Sequence, residues 1–230
     1  MSEYRLVMKG VVKTFPGVKA LDHAQLELRP GKVMALMGEN GAGKTTVFNM
    51  LTGVYKPTEG NIVLDGNDIT GATPEAISKA GIARTFQNIR LFKELSVIDN
   101  IKVGLHESMK YNLASSLIRL PNYWKEEKKC TERALELLDI FHMADLANVQ
   151  AGSLPYGAQR RLEIMRALAT SPKLLLLDEH TAALDPKTAA KVLELSDQIV
   201  QENQLTTLMI THNMKDAIAH GNRLIMMNAG

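Results

Sequence analysis

The segment Gly38–Thr45 constrains this chain more than any other stretch, because GENGAGKT matches G-x-x-x-x-G-K-S/T at every fixed position. An apolar run, Val33–Met37, precedes it, and a stretch with helical character, Thr46–Leu51, follows. Glycines let backbone N–H groups turn inward around phosphate oxygens, and the start of the next helix favours negative charge. The alternative, a glycine-rich turn that binds nothing, is disfavoured by the flanking strand and helix. We predict a phosphate-binding loop made of Gly38, Glu39, Asn40, Gly41, Ala42, Gly43, Lys44, Thr45 and Thr46.

Two carboxylates follow another apolar run and suggest a reactive centre. Leu174–Leu177 ends in Asp178 and Glu179, and in doubly wound sheets ligands bind at the carboxyl ends of the strands. Lys44 would interact with the β- and γ-phosphates, while Thr45 and Asp178 would bind Mg²⁺. Glu179 would reach the water that attacks the γ-phosphate. The alternative is a strand end whose carboxylates are merely solvated. The presence of a phosphate loop in the same chain argues against that alternative.

Strand-like runs predict the sheet. Thr207–Ile210 and Leu224–Met227 resemble the two apolar runs above, and runs without alternation suit strands covered on both faces of a mostly parallel sheet. The first 30 residues are predicted to form short strands, with turns at Phe15–Gly17 and Arg29–Gly31.

A different pattern occupies the middle of the chain, from about Glu94 to Ala169. Glu126–Phe141 has apolar residues at helical spacing, and Ala158–Ala169 follows a glycine. We therefore expect an α/β core with an inserted helical subdomain.

Composition narrows the class of partner. The 230 residues carry a formal net charge of +2, with both signs dispersed, which gives no reason to expect nucleic acid. The single cysteine, Cys130, cannot form an internal disulfide, which favours a reducing compartment. Because the apolar runs are far too short to span a membrane, any membrane role is expected to come through a partner.

The order of several further residues along the chain indicates functional roles that none of them would indicate alone. Taken singly, each has a structural alternative, such as a core aromatic residue, a surface glutamine or a hydrogen-bonded histidine. Together with the phosphate loop they resemble the ATP-binding subunits of ABC transporters, over nearly the whole chain. The adenine-stacking aromatic residue of the family corresponds to Phe15, and its Q-loop to Arg84–Gln87, with Gln87 as the glutamine. The signature segment corresponds to Leu154–Gln159, the D-loop to Ala183–Asp185 and the switch histidine to His212.

The resemblance implies a fold and its ligands. The fold is that of a P-loop NTPase, with a mostly parallel core sheet, an antiparallel N-terminal β-part and an inserted helical subdomain. Residues 1–86 and 170–230 would form the catalytic core of a single domain, and 87–169 the helical subdomain. The implied ligands are ATP and Mg²⁺, with Gln87 joining Thr45 and Asp178 at the metal.

The resemblance also implies a mechanism and partners. Water would attack the γ-phosphate in line, with Glu179 as general base and with Lys44 and His212 offsetting the developing charge. Two domains, as a homodimer or heterodimer, would pair head to tail around ATP and drive transmembrane permease subunits from the cytoplasmic face of the inner or plasma membrane. The expected contacts across that pair are Tyr156, Gly157, Gln159 and Asp185.

The chain departs from the family pattern at three positions. Pro155 replaces the usual serine of the signature, Tyr156 replaces its first glycine, and His180 stands where proline is usual. Pro155 offers a phosphate neither a hydroxyl nor a backbone N–H. The variant Leu154–Gly157 itself resembles branched-chain amino acid importers, so it weakens the serine contact and leaves the assignment intact.

Separate segments resemble different importer ATPases. Phe15–Leu21 and Ala35–Asn40 resemble those of sugars, Thr46–Leu177 those of branched-chain amino acids, and Ile210–Ala217 another amino acid group. The family normally continues beyond the equivalent of Gly230. The main hypothesis is an importer ATPase subunit for amino acids, and the alternative is an engineered, recombined or truncated ABC domain that binds nucleotide without transport-coupled turnover. An ABC ATPase of translation or DNA repair is disfavoured, because those usually carry tandem domains or a long coiled coil.

Overall fold

The computed structural model describes residues 3–105, 121–179, 189–194, 198, 200 and 204–227, which divide into two compact units. The first takes the described residues up to 87, 172–179, 193–194, 198, 200 and 204–227, and the second takes those of 88–171 with 189–192. The helical subdomain proposed at 87–169 overlaps the second unit.

The helices and strands, in chain order, are β1 (Leu6–Phe15), β2 (Val18–Leu28), β3 (Val33–Gly38), α1 (Lys44–Leu51), β4 (Glu59–Leu64), β5 (Asn67–Asp68), α2 (Pro74–Ala80), β6 (Ile82–Arg84), α3 (Val97–Leu105), α4 (Pro121–Ile140), α5 (Tyr156–Ala169), β7 (Leu174–Asp178), β8 (Thr206–Ile210), α6 (Met214–His220) and β9 (Arg223–Met227).

An antiparallel sheet in the first unit has the order β2-β1-β4-β5. β1 and β2 form a hairpin that closes where Phe15 pairs with Val18, around the predicted turn. The strands have 10 and 11 residues, longer than the short strands that the sequence predicts. Alternate residues such as Leu6 and Met8 are buried, so a half-buried sheet face extends the pairing beyond what local turn signals indicate.

The second sheet of this unit is parallel, with the order β6-β7-β8-β3-β9. Every residue of β7 and β8 is buried, which confirms the interpretation of the apolar runs. Asp178, the last residue of β7, pairs with Ile210, the last of β8. Because parallel strands end at one edge of a sheet, the segments after β3, β6, β7 and β8 begin at the same edge.

One hydrophobic cluster joins these elements. It combines residues of both sheets with the inner side of α1, where Phe48 and Leu51 are fully buried. Burial of an aromatic and a leucine side chain stabilises such packing by about 2–3 kcal/mol each. The first turn of α1, and with it the predicted phosphate loop, is therefore held on a packed scaffold.

In the second unit, α3 packs against α4 and α5. The approach of α3 to α5 is close at Gly104, where a Cβ atom would lie 2.6 Å from the carbonyl oxygen of Arg166. Burial at Leu138 and Leu162 shows that α4 and α5 each turn an apolar side toward the core of this unit.

Both predicted helices begin earlier than their sequence pattern indicates. α4 begins at Pro121 rather than Glu126, and α5 at Tyr156 rather than Ala158. Proline fits the first turn of a helix because it has no N–H to leave unpaired there. Pro121 is the first residue of α4, and Pro155 caps α5.

The remaining features of the described chain add no reactive thiol and no membrane span. Cys130 is buried in α4, and burial raises the pKa of its thiol to about 11, so the thiol stays protonated at neutral pH. Among the helices that the structure describes, none combines enough length with enough apolar surface to cross a bilayer.

Candidate functional site

The predicted phosphate loop connects β3 to α1 in a conformation that requires glycine. Gly43 caps α1 with a φ of 88°, and a Cβ there would lie 2.7 Å from the carbonyl oxygen of Ala20. A Cβ on Gly38 would lie 2.3 Å from the carbonyl oxygen of Met227. The loop is thus packed against the ends of β2 and β9, while Asn40, Gly41 and Thr45 are exposed.

Lys44 places its charge inside this loop. Its side chain is largely enclosed, since the residue is 6% exposed, and Nζ donates to the carbonyl oxygens of Gly38 at 2.6 Å and Glu39 at 2.9 Å. The first N–H groups of α1 have no acceptor within the helix, because a helix starts with unpaired donors. The ammonium group and these donors make the loop suited to an anion.

Glu179 brings three of the predicted residues together. One carboxylate oxygen, Oε1, lies 2.7 Å from His212 Nε2, and the other, Oε2, accepts a hydrogen bond from Gln87 Nε2 at 2.9 Å. The backbone N–H of Glu179 donates to the carbonyl oxygen of Ile210. The ends of β6, β7 and β8 therefore contribute one side chain each to a single cluster.

Asp178 lies beside this cluster but is paired with a residue that the sequence reasoning missed. The Arg84 and Asp178 side chains are 7% and 8% exposed, and Arg84 Nη2 lies 2.5 Å from Asp178 Oδ2. Arg84 Nη1 donates to Asn49 Oδ1 at 2.8 Å and contacts the Thr52 hydroxyl at 3.4 Å. A charged residue at the end of a short apolar stretch, three positions before Gln87, is the signal that could have indicated it.

Comparison with known proteins decides what such a site belongs to. A family model described as ABC transporter matches residues 21–182. The high-affinity branched-chain amino acid transport ATP-binding protein LivG of Escherichia coli K12 is 40% identical over 230 residues, which cover all of this chain and 90% of LivG. The chain belongs to the ABC transporter ATP-binding family. It is therefore an ATP-binding ATPase cassette, as the sequence indicated.

Solved structures agree with this ABC ATPase in fold. The ADP conformation of MJ1267, an ATP-binding cassette of an ABC transporter, superimposes with a TM-score of 0.82 at 31% identity, over 98% of this chain and 88% of MJ1267. A dimeric, post-hydrolysis structure of the cassette MJ0796 bound to ADP and Pi gives 0.80 at 28% identity, over 96% and 94%. The predicted P-loop NTPase fold is confirmed.

Phe15 of the ABC ATPase lies in an aromatic and cationic group rather than in the core. Its ring meets that of Tyr55 edge to face, with centroids 5.2 Å apart. Lys13 Nζ lies 5.1 Å from the centroid of Phe15 and donates to the carbonyl oxygen of Lys56. The ring of Phe15 is half-buried, which leaves part of it for a ligand.

The signature segment lies in the second unit. Pro155 caps α5 without a side-chain hydrogen bond, as its chemistry requires, and Tyr156 is exposed at the first turn. Gln159 Nε2 donates to the carbonyl oxygen of Leu154, and Gly157 lies between them in the first turn. The predicted D-loop residue Asp185, and also His180, lie outside the described residues.

The residues predicted for the metal supply oxygen donors that fit Mg²⁺. Thr45 offers a hydroxyl, Asp178 a carboxylate and Gln87 an amide. Gln87 contacts Glu179 through its amide nitrogen, so a metal would be bound by its amide oxygen. The bond given for Arg84 goes to Oδ2 of Asp178. Few protein ligands are needed, because Mg²⁺ keeps several waters.

Proposed function

We propose that this ABC ATPase is the energy-coupling subunit of an importer of amino acids, of the branched-chain type. ATPase activity follows from the family, whereas the cargo is inferred. The inference is supported by LivG, which matches the whole chain at 40% identity. Glu179, whose two carboxylate oxygens contact His212 and Gln87, is the observation that carries the mechanism.

Glu179 is proposed as the general base. With His212 on Oε1 and Gln87 on Oε2, the carboxylate is held in one orientation at the carboxyl end of β7. A water held against this carboxylate would lose its proton to Glu179 as it attacks the γ-phosphate. Orientation from both sides lowers the entropic cost of reaching an in-line geometry.

Charge that develops on the transferred phosphoryl group is proposed to be offset by Lys44, the first turn of α1 and His212. Lys44 would exchange its contacts with Gly38 and Glu39 for β- and γ-phosphate oxygens. Mg²⁺, held by Thr45, Gln87 and Asp178, would add positive charge beside the β- and γ-phosphates. Phe15 would stack on adenine.

Assembly completes the proposed cycle. A second copy, or a related cassette, would supply Tyr156, Gly157, Gln159 and Asp185 to the nucleotide, in line with the dimeric structure of MJ0796. Transmembrane permease subunits would be the partners, with this chain at the cytoplasmic face of the membrane. Nucleic acid is not among the proposed partners.

Replacing Glu179 with glutamine tests the mechanism. Glu179→Gln keeps the size and hydrogen-bonding capacity but removes the base, so turnover should fall by about 10²–10⁴-fold while the Kd for ATP stays nearly unchanged. Steady-state phosphate release and calorimetric titration measure the two quantities. Glu75→Gln, in the exposed Glu75–Lys79 pair of α2, is the control and should retain parental turnover. A parental rate in Glu179→Gln would show that another group is the base.

Co-purification tests the cargo. The tagged chain, isolated from membranes of its own organism, should bring down permease subunits, and leucine, isoleucine or valine with the importer's binding protein should stimulate ATP hydrolysis by that complex. A sugar is the control. Hydrolysis stimulated by sugar instead of an amino acid would reassign the cargo. Nucleotide binding with neither turnover nor a permease would favour the alternative, a nucleotide-binding domain without transport-coupled turnover.

A further inference from the structure

Arg84 is a buried cation that makes several contacts besides the ion pair that neutralises its charge. The bond to Asp178 already pairs its charge. The guanidinium group also donates to Asn49 and contacts Thr52, and it lies 5.4 Å from the ring centroid of Phe48 and 5.1 Å from that of Phe86. Burying a charge costs free energy unless it is paired and hydrogen-bonded, and aromatic faces restrict where a planar guanidinium can lie. Arg84 is thus fixed on several sides.

The contacts of Arg84 connect two parts of the nucleotide site. Asp178 ends β7, where the metal is proposed to bind, while Asn49 belongs to α1, the helix that begins with Lys44 and Thr45. β6 brings Arg84 next to Leu176 of β7, so the side chain needs no long reach. A forked guanidinium can bond both partners at once, which an ammonium group cannot do with the same geometry.

We propose that Arg84 is a positioning residue for the metal-binding carboxylate. It holds Asp178 through Oδ2, so that Mg²⁺ or one of its waters would be bound through Oδ1, and it ties that carboxylate to the phosphate-loop helix through Asn49. The inference rests on the metal role proposed for Asp178. Arg84 would act through its bonds to Asp178 and Asn49, and its effect would be the coupling between metal binding and nucleotide binding.

The experiment measures that coupling directly, without turnover. The Kd of a fluorescent ADP analogue is measured in Mg²⁺ and in EDTA, and the ratio of the two values reports the metal's contribution. In Arg84→Lys, which keeps the charge but loses the fork, the ratio should fall about tenfold, the worth of one hydrogen bond to a charged group. Asn49→Ala, which leaves the pair with Asp178 in place, should lower the ratio about threefold. The Kd in EDTA should change less than about twofold in both, because the phosphate loop is untouched.

Controls separate this proposal from its premise. Lys79→Ala, which removes the exposed Lys79–Glu75 pair, should leave the ratio unchanged. Circular dichroism and thermal unfolding establish that each variant is folded. Unchanged or increased ratios in folded Arg84→Lys and Asn49→Ala would overturn the positioning role. Asp178→Asn should abolish most of the coupling, and if it does not, the metal role of Asp178 fails and the inference about Arg84 falls with it.

Discussion

Glu179 shows how much a single residue is constrained by its surroundings. Its φ of 43° is a left-handed conformation that non-glycine residues seldom adopt, at a cost of about 1–3 kcal/mol. The hydrogen bond from its N–H to Ile210 and the contacts of its carboxylate with His212 and Gln87 hold it there. Strain of this kind persists only where the surrounding structure enforces it.

Loss of Lys44 should be felt mainly in ATP binding. Lys44→Ala removes the enclosed ammonium group from the phosphate loop, so the Kd for MgATP should rise by about tenfold or more, since bonds to charged groups are the strong ones. Calorimetric titration measures this. Lys215→Ala, at an exposed position of α6, is the control. An unchanged Kd in Lys44→Ala would exclude the loop as the phosphate site.

Phe15 should distinguish ligands that contain an adenine ring from ligands that lack one. Phe15→Ala removes ring stacking worth about 0.5–1.5 kcal/mol, so the Kd should rise about two- to tenfold for ATP and stay constant for inorganic triphosphate. Tyr55→Phe, which keeps the edge-to-face ring, should bind ATP as the parent does. Equal losses for both ligands in Phe15→Ala would place the adenine elsewhere.

At the scale of elements, α5 contains a fully buried ion pair. Arg160 Nη1 lies 2.6 Å from Glu163 Oε2, with side chains 0% and 1% exposed, and Glu163 Oε1 accepts the N–H of Arg90. Such a pair need not raise stability over an apolar core, but breaking a buried pair by removing one charge is strongly destabilising. The pair therefore fixes the position of residue 90 against α5.

Glu163→Gln should accordingly destabilise the protein. Arg160 would remain buried beside a neutral amide, and breaking such a pair costs about 3–5 kcal/mol. Urea unfolding monitored by circular dichroism measures the loss. Glu136→Gln is a matched control, because Arg133 and Glu136 form a pair of the same spacing at 2.7 Å that is more than half exposed. Equal stability of the two variants would contradict the argument from burial.

The elements also show what the sequence could predict. β7 and β8 lie where their apolar runs indicated, because runs covered on both faces have a distinct pattern. The position of Arg84 before Gln87 was a signal, but its partners could not be predicted, because a buried arginine has no periodic pattern and Asp178 lies 94 positions away. The helix starts at Pro121 and Tyr156 were missed because proline acts on the boundary rather than on the apolar pattern.

For the whole molecule, activity should depend on protein concentration. If each site needs the Leu154–Gln159 segment of a second copy, specific activity should rise with concentration before it saturates, because ATP bound across an interface stabilises that interface. Without nucleotide the protein should be mainly monomeric, and light scattering should detect dimers of Glu179→Gln when MgATP is added. A hundredfold dilution covers a range of about 3 kcal/mol in association free energy. Specific activity that stays constant over that dilution would argue against a shared site.

The carboxylate of Glu179 is held at both of its oxygens. Nε2 of Gln87 donates to Oε2, while His212 lies on Oε1. Rotation about the Cγ–Cδ bond exchanges the two oxygens of a carboxylate, so a contact on each oxygen opposes that rotation. Loss of either contact would therefore let the carboxylate plane turn, even while the backbone of Glu179 stays bonded to Ile210.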